Sequence, residues 1–348
     1  MGQAYSNKAA LMTAVKKIEI RDFPMPEYGA DDVLVRPEFI GVCGSDAHFF
    51  ESGERKGKKF DLPFILGHEC GGVVVDTGKN VTHVRPGDKV CFDPQVTCGK
   101  CEYCRTGRYN MCPDVIFPSV PPYNGMLQTY ISMPAKTAYR LPENVSTLEG
   151  ALIEPLAVGL SAAKRGDVTL GDTVLILGSG CNGIVTIMAC LSRGATKVIV
   201  SDLYENRLQK AKELGASAVI DASKEDTKER VMELTDGKGA DIVFETAGSQ
   251  ATASRTIDYL KRGGVIVMVG NVNGETPIRL MDLMYQGGEI RTIYRYVNNF
   301  PTAIEAVSSG RINIKGIVSH RFGFEDTQQA FENALYHRSE VIKSVIEF

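Results

Sequence analysis

Hydrophobic and polar positions change their rhythm partway along this 348-residue chain. In the first half the apolar runs are short and broken by Gly, Pro and Asp, as over residues 32–38 and 72–75, which is how strands read. Residues 84–90, Val-Arg-Pro-Gly-Asp-Lys-Val, are a Pro-Gly turn leading into a further strand. Near Ala151 the character shifts. From Thr173 onward apolar runs alternate with helically spaced ones. Strands are predicted over 173–177, 197–201, 241–245, 264–269 and 289–293, and helices up to about 193, over 206–214 and over 251–259. The Lys- and Glu-rich run 224–233 reads as the solvated face of a further helix. This βαβ alternation predicts an α/β protein with a parallel, doubly wound sheet. Such a length exceeds one typical core, so two domains are expected. About fifty residues follow Arg295, too few for a third domain, and they are expected to return to the first. The predicted division is residues 1–155 with 295–348, and residues 156–294.

Composition narrows the function classes. With 43% hydrophobic and 23% charged residues the chain reads as a soluble globular protein. A net charge of −3 and a pI of about 6.0 give no reason to expect a nucleic-acid or anionic-membrane partner. No apolar run approaches the roughly 20 residues that span a bilayer. The N-terminus has no apolar signal core. Gly2 followed by Ser6 matches the loose myristoylation pattern, which is read as coincidence. Nine cysteines without a signal peptide point to free and metal-bound thiols in a reducing compartment, so a cytoplasmic protein is expected.

Two motifs carry chemistry. Leu175-Ile-Leu-Gly178-Ser-Gly180-Cys181-Asn182-Gly183 is G-x-G-x-x-G directly after a predicted strand and opening a helix. The first Gly permits a tight turn, the second lets backbone approach a pyrophosphate, and the third lets helix pack on strand. Asp202 ends the next predicted strand, where an acidic residue bonds ribose hydroxyls and repels a 2′-phosphate. NAD is therefore expected over NADP, although Arg207 nearby is a cation able to host a phosphate. The second motif is Cys98, Cys101, Cys104 and Cys112 within fifteen residues, a spacing that lets four thiolates converge on one tetrahedral metal. Elsewhere Cys43-Gly-Ser45-Asp46-Ala-His48, Gly67-His68-Glu69 and Ile153-Glu154-Pro155 hold residue types that ligate zinc, and three protein ligands with one open position is the catalytic arrangement.

Taken together these segments resemble the medium-chain, zinc-dependent alcohol dehydrogenase family over nearly the whole chain. The landmarks are Gly-Val-Cys43-Gly-Ser-Asp46, Gly67-His68-Glu69, Pro86-Gly87-Asp88-Lys-Val90, the four-cysteine lobe and the nucleotide fingerprint, in the family's order. Gly107-Arg-Tyr-Asn110, Pro121-Pro122, Ala151-Leu-Ile-Glu-Pro-Leu156 and Tyr294-Arg295-Tyr296-Val-Asn298 make it most similar to the sorbitol (iditol) and xylitol dehydrogenase branch. The resemblance implies a GroES-like β-rich catalytic domain and a Rossmann coenzyme domain. It also implies two zinc ions per chain, NAD, and a polyol oxidised to a ketose. A structural zinc would sit on the four-cysteine lobe. The catalytic zinc would sit on Cys43 and His68, with Glu69 and Glu154 supplying oxygen ligands directly or through water. In alcohol-oxidising relatives a second cysteine replaces Glu154, so an oxygen-richer site here implies a more Lewis-acidic zinc.

By the same resemblance Ser45 and His48 form the proton relay, and Phe117, Glu154, Arg295 and Tyr296 meet the substrate. Gly178, Gly180, Cys181, Asn182, Gly183, Asp202, Arg207, Val269 and Arg295 meet the coenzyme. A homo-oligomer, dimer or tetramer, is implied as well. One stretch departs from the branch: Ser52 stands where an aromatic is usual, followed by the basic loop Arg55, Lys56, Lys58 and Lys59. That loop is either a solvated surface or a sugar-phosphate contact. A polyol-phosphate dehydrogenase, a threonine or simple-alcohol dehydrogenase and a non-catalytic structural relative are the alternatives. His83, His320 and His337 match no ligand spacing, and Cys70, Cys91, Cys181 and Cys190 read as packing residues. Tyr204 reads equally as an adenine neighbour or a surface tyrosine.

Overall fold

The computed structural model describes residues 6–55 and 57–348; Gly2 of the myristoylation pattern and Lys56 of the basic loop lie outside them. The chain forms two compact units, residues 1–154 with 300–348, and residues 155–299. The return to the first unit thus begins at Phe300, which leaves Arg295 and Tyr296 in the second.

The first unit is built on a seven-stranded sheet. Its strands run in the order Ala138–Arg140, Lys89–Phe92, Glu69–Thr77, Asp32–Gly41, Lys343–Glu347, Val318–Gly323, with Ile131–Pro134 pairing the start of Asp32–Gly41. The strand Asp32–Gly41 pairs antiparallel with Glu69–Thr77 on one side and with Lys343–Glu347 on the other. Its apolar residues Val33, Val35 and Ile40 are buried, and they join Phe49, Phe50, Phe64 and Phe331 in one core. The helix Thr327–Tyr336 closes that core, with the Phe331 ring 5.3 Å from that of Phe50. These pairings place three segments side by side: the turn after Gly41, the start of Glu69–Thr77, and the last strand of the chain.

In the second unit six parallel strands run in the order Ala218–Asp221, Lys197–Asp202, Thr173–Leu177, Ala240–Glu245, Leu260–Met268, Glu289–Thr292. That is the doubly wound dinucleotide order, reversing beside the first strand of the unit. Val174, Leu175, Ile176, Val198, Ile199 and Val200 are fully buried, as strands covered on both faces must be, and this is why they read as continuous apolar runs. Two details differ from the sequence expectation. The short edge strand Ala218–Asp221 gave no run long enough to read. The helix expected over 251–259 breaks into Gln250–Ala253 and a 3-10 turn Thr256–Tyr259. Thr256 Oγ1 donates to the Ala253 carbonyl at 2.9 Å, one of the local side-chain bonds that compete with a continuous helix.

Candidate active site and metal centres

Register assembles the first cluster. Gly41 lies opposite Glu69 across the antiparallel pair, so the turn carrying Cys43 faces His68 and Glu69. Cys43 has extended backbone and caps the helix Gly44–Ser52. One ligand atom each from Cys43, His68 and Glu69 lies within 4.8 Å of the others. A thiolate, an imidazole and a carboxylate so placed could hold zinc and leave a coordination position open. Ser45 Oγ donates to Cys43 Sγ at 3.3 Å. Phe117 packs edge-on against His68 with ring centroids 5.2 Å apart.

Behind the two outer ligands lie buried charges of opposite sign. Asp46 is buried, and its Oδ2 lies 3.1 Å from His68 Nδ1. The same carboxylate accepts from Ser119 Oγ at 2.7 Å, from the Gly67 amide at 3.2 Å and from the Arg55 guanidinium at 3.0 Å. Burial alone would raise the Asp46 pKa, but His68, Arg55 and Ser119 outweigh it and hold the group below the ordinary carboxylate range. Burial likewise pushes His68 down, and Asp46 with Cys43 overcomes it, leaving the imidazole well above its usual value. A carboxylate on Nδ1 also fixes ring orientation and leaves Nε2 to the cluster.

On the other side Glu69 forms an ion pair with Lys343, the side chains being 1% and 2% exposed. Lys343 Nζ also donates to the Val42 carbonyl at 3.1 Å. A side chain at 41 would force this ion pair to shift, since a Cβ there would lie 2.0 Å from Glu69 Oε2 and 2.9 Å from Lys343 Cε.

Sequence reading missed Asp46 as a hub, and it missed Lys343 altogether. The one available signal was a lysine inside the apolar run 341–346. Glu154 is buried on the helix Thr147–Arg165 but stands outside the three-residue group within 4.8 Å. His48 lies one turn along the helix from Ser45; its side chain is 64% exposed, with Nδ1 3.7 Å from Glu51. The basic loop is split. Arg55 turns inward to Asp46 and to the Ser119 carbonyl at 2.7 Å, while Lys58 and Lys59 stay exposed.

The second cluster joins Cys98, Cys101, Cys104 and Cys112. Cys98 Sγ lies 4.0 Å from Cys104 Sγ and 3.6 Å from Cys112 Sγ. Tetrahedral ligation with Zn–S bonds of about 2.3 Å sets sulfurs about 3.8 Å apart, so the spacing fits zinc as it stands. Backbone amides of Lys100 and Cys101 lower the Cys98 thiol to about 7. Four sulfurs complete the tetrahedron and leave no position for a substrate.

The nucleotide fingerprint lies in the second unit. Gly178 takes φ +94°, and a Cβ at Gly183 would lie 2.0 Å from the Gly178 carbonyl, so helix Cys181–Arg193 packs directly on the turn. Asp202 ends its strand and ties down the loop: its Oδ2 accepts from the Ser179 amide at 2.6 Å and hydroxyl at 2.9 Å. Its Oδ1 accepts from the amides of Leu203 at 2.7 Å and Tyr204 at 3.1 Å. Arg207 lies over the Tyr204 ring at 5.3 Å. Val269 follows the strand Leu260–Met268, its amide bonded to the Glu245 carbonyl at 2.8 Å. Asp202, Gly178 and Val269 therefore all stand at carboxyl ends of parallel strands, where such sheets bind ligands. Arg295 takes φ +56° and stacks on Tyr294 at 4.8 Å, and Tyr296 is buried. Among the remaining standouts, His83 Nε2 meets the Ala135 carbonyl at 2.9 Å, and Cys70, Cys91 and Cys190 are buried.

A β-rich unit holding a three-donor centre and a four-sulfur lobe, joined to a dinucleotide-binding sheet, defines a zinc-dependent, nicotinamide-dependent dehydrogenase. Residues 29–143 match the alcohol dehydrogenase GroES-like domain, and residues 183–309 match the zinc-binding dehydrogenase domain. The chain belongs to the medium-chain, zinc-dependent alcohol dehydrogenase family, in its sorbitol dehydrogenase branch. It is 44% identical to YdjJ of Escherichia coli, an uncharacterized zinc-type alcohol dehydrogenase-like protein, over 98% of this chain and 99% of that one. It is 37% identical to the sorbitol dehydrogenase of Bacillus subtilis over 97% and 96%. An Escherichia coli oxidoreductase of unknown specificity, known from its crystal structure, superposes with a TM-score of 0.95 at 43% identity over 99% of both chains. The protein is an oxidoreductase acting on an alcohol or polyol with zinc and NAD as cofactors.

Proposed function

We propose that the protein oxidises a secondary hydroxyl of a free polyol of the sorbitol, xylitol or iditol kind to the ketose, and catalyses the reverse. The observation that carries this is the convergence of Cys43, His68 and Glu69, a donor set with a carboxylate, in a chain similar over its length to a sorbitol dehydrogenase. When bound, zinc supplies a Lewis acid that eases loss of a hydroxyl proton, and NAD accepts the hydride.

The rest falls to the chain's own residues. Cys43, His68 and Glu69 hold the metal, and Asp46 keeps the His68 ring turned toward it. Ser45, at the Cys43 sulfur, takes up the substrate proton, and His48, one helical turn on and open to solvent, passes it out. Phe117 walls the site beside His68 and limits water there. Glu154, outside the donor group, is assigned to a polyol hydroxyl, together with Arg295 and Tyr296. In the second unit Gly178, Gly180, Cys181, Asn182 and Gly183 cradle the pyrophosphate, and Asp202 meets the ribose. Cys98, Cys101, Cys104 and Cys112 hold the structural zinc. All nine cysteines are free, and among the described residues no helix is long and apolar enough to cross a membrane. The family resemblance is the ground for proposing a cytoplasmic homo-oligomer, whose assembly sedimentation would check.

The inward turn of Arg55 weakens the case for a phosphorylated substrate, since Asp46 already engages that cation. Turnover of sorbitol, xylitol, galactitol 1-phosphate and threonine with NAD, measured alongside zinc content, tests the reading. Activity on sorbitol or xylitol with two zinc per chain is the expected result. Activity confined to the phosphate ester or to threonine would replace it.

A further inference from the structure

Lys343 comes from the last strand of the chain and is almost fully enclosed, an uncommon place for an ammonium group. It reaches two points of the same centre. One is the Glu69 carboxylate, and the other is the carbonyl of Val42, the residue before Cys43. The backbone beneath is arranged for this. Val345 stands opposite Gly41, Gly41 stands opposite Glu69, and a side chain at 41 would displace both charged groups. A buried ammonium does not share a carboxylate passively. Its contact is with Oε2, so it competes with a metal for the charge of that carboxylate.

We propose that Lys343 is a positioning residue for the catalytic zinc. It holds Glu69 as a one-oxygen ligand and keeps the Cys43–His68–Glu69 centre from binding the metal at full carboxylate strength, which preserves its Lewis acidity. This rests on the assignment of those three residues as the zinc centre. Asp46 acts in the opposite sense: it places a negative charge behind His68 and strengthens that ligand. The two adjacent ligands are therefore tuned by buried groups of opposite charge.

The test is zinc affinity, by competition with a chromophoric chelator, on the site that Cys43→Ser removes. Lys343→Met, similar in length and uncharged, is expected to bind zinc at least about tenfold more tightly while kcat falls by a larger factor than KM changes. Lys343→Arg, which keeps the charge, is expected to stay near the wild-type affinity. Wild-type or weaker zinc binding in Lys343→Met overturns the proposal. If Lys343→Met does not fold, the comparison moves to Glu69→Gln with and without Lys343→Met. With the carboxylate gone the lysine has no ligand to act through, so the two variants are expected to hold zinc equally, and about tenfold tighter binding by the double variant overturns the proposal. Zinc content unchanged by Cys43→Ser would instead remove the centre on which the proposal stands, an outcome separable from the others.

Discussion

The two metal centres of the first unit are built on opposite plans. The four-cysteine lobe is local: its sulfurs come from residues 98–112, three of them half-exposed, and their spacing is already that of a closed tetrahedron. The Cys43–His68–Glu69 centre is non-local. It depends on strand register, and buried Asp46 and Lys343 flank it. The lobe needs only its own loop to hold a metal. The other centre spends buried charge to hold three unlike ligands with one position left open. A closed site secures structure, and an open one must be held from behind by the fold.

Cys43→Ser is the sharpest way to separate them. It is expected to lower turnover by about a thousandfold or more, because the metal supplies several kcal/mol of charge stabilisation. Zinc should fall from two to one per chain with little change in thermal stability; retained activity would erase the distinction. Breaking the lobe by Cys104→Ser should have the reverse signature. Zinc binding is worth about 10–16 kcal/mol in isolated finger peptides, so residues 98–112 should lose their order and become protease-sensitive. Limited proteolysis with zinc analysis reads this, and a protected loop would show the zinc to be dispensable.

Removing the charge behind His68 by Asp46→Asn should cost about 10–100-fold in zinc affinity or turnover. An unchanged value would mean that the imidazole is oriented by packing alone. Asp202→Ala, in the other unit, is expected to reduce the preference for NAD over NADP about tenfold, the loss of about 1.4 kcal/mol of discrimination. Titration of both dinucleotides checks it. The smallest effect concerns acid. Before zinc binds, Cys98 is lowered to about 7, so it offers a thiolate to the metal above that pH, and below it a proton must be displaced on binding. The zinc affinity of the lobe, titrated against a chelator, should fall more steeply with each pH unit below about 7 than above it. An unchanged slope across that range would show that Cys98 gives up no proton when zinc binds.

Where chemistry is carried by neighbours in the chain, it was legible. The lobe cysteines, the Gly178-to-Gly183 turn and the buried strand Thr173–Leu177 all follow from local spacing or from continuous apolar runs. Edge strand Ala218–Asp221 was not legible, because a four-residue strand at a sheet edge buries too little to leave a pattern. The basic loop was misleading for a related reason. Arg55 reads as one of four surface cations until the fold shows Asp46 beneath it.

The sequence by itself determined the inventory: two domains, a dinucleotide turn, a sulfur lobe, and a Cys, a His and two Glu suited to zinc. Tertiary structure alone decided which carboxylate joins Cys43 and His68, and what stands behind it. Glu69 meets them because Gly41 pairs with it across the sheet, whereas Glu154 lies outside the group. Lys343 reaches Val42 from 301 residues away because the final strand lies beside Asp32–Gly41. Pairing of this kind depends on register between distant strands, and no spacing along the chain encodes it.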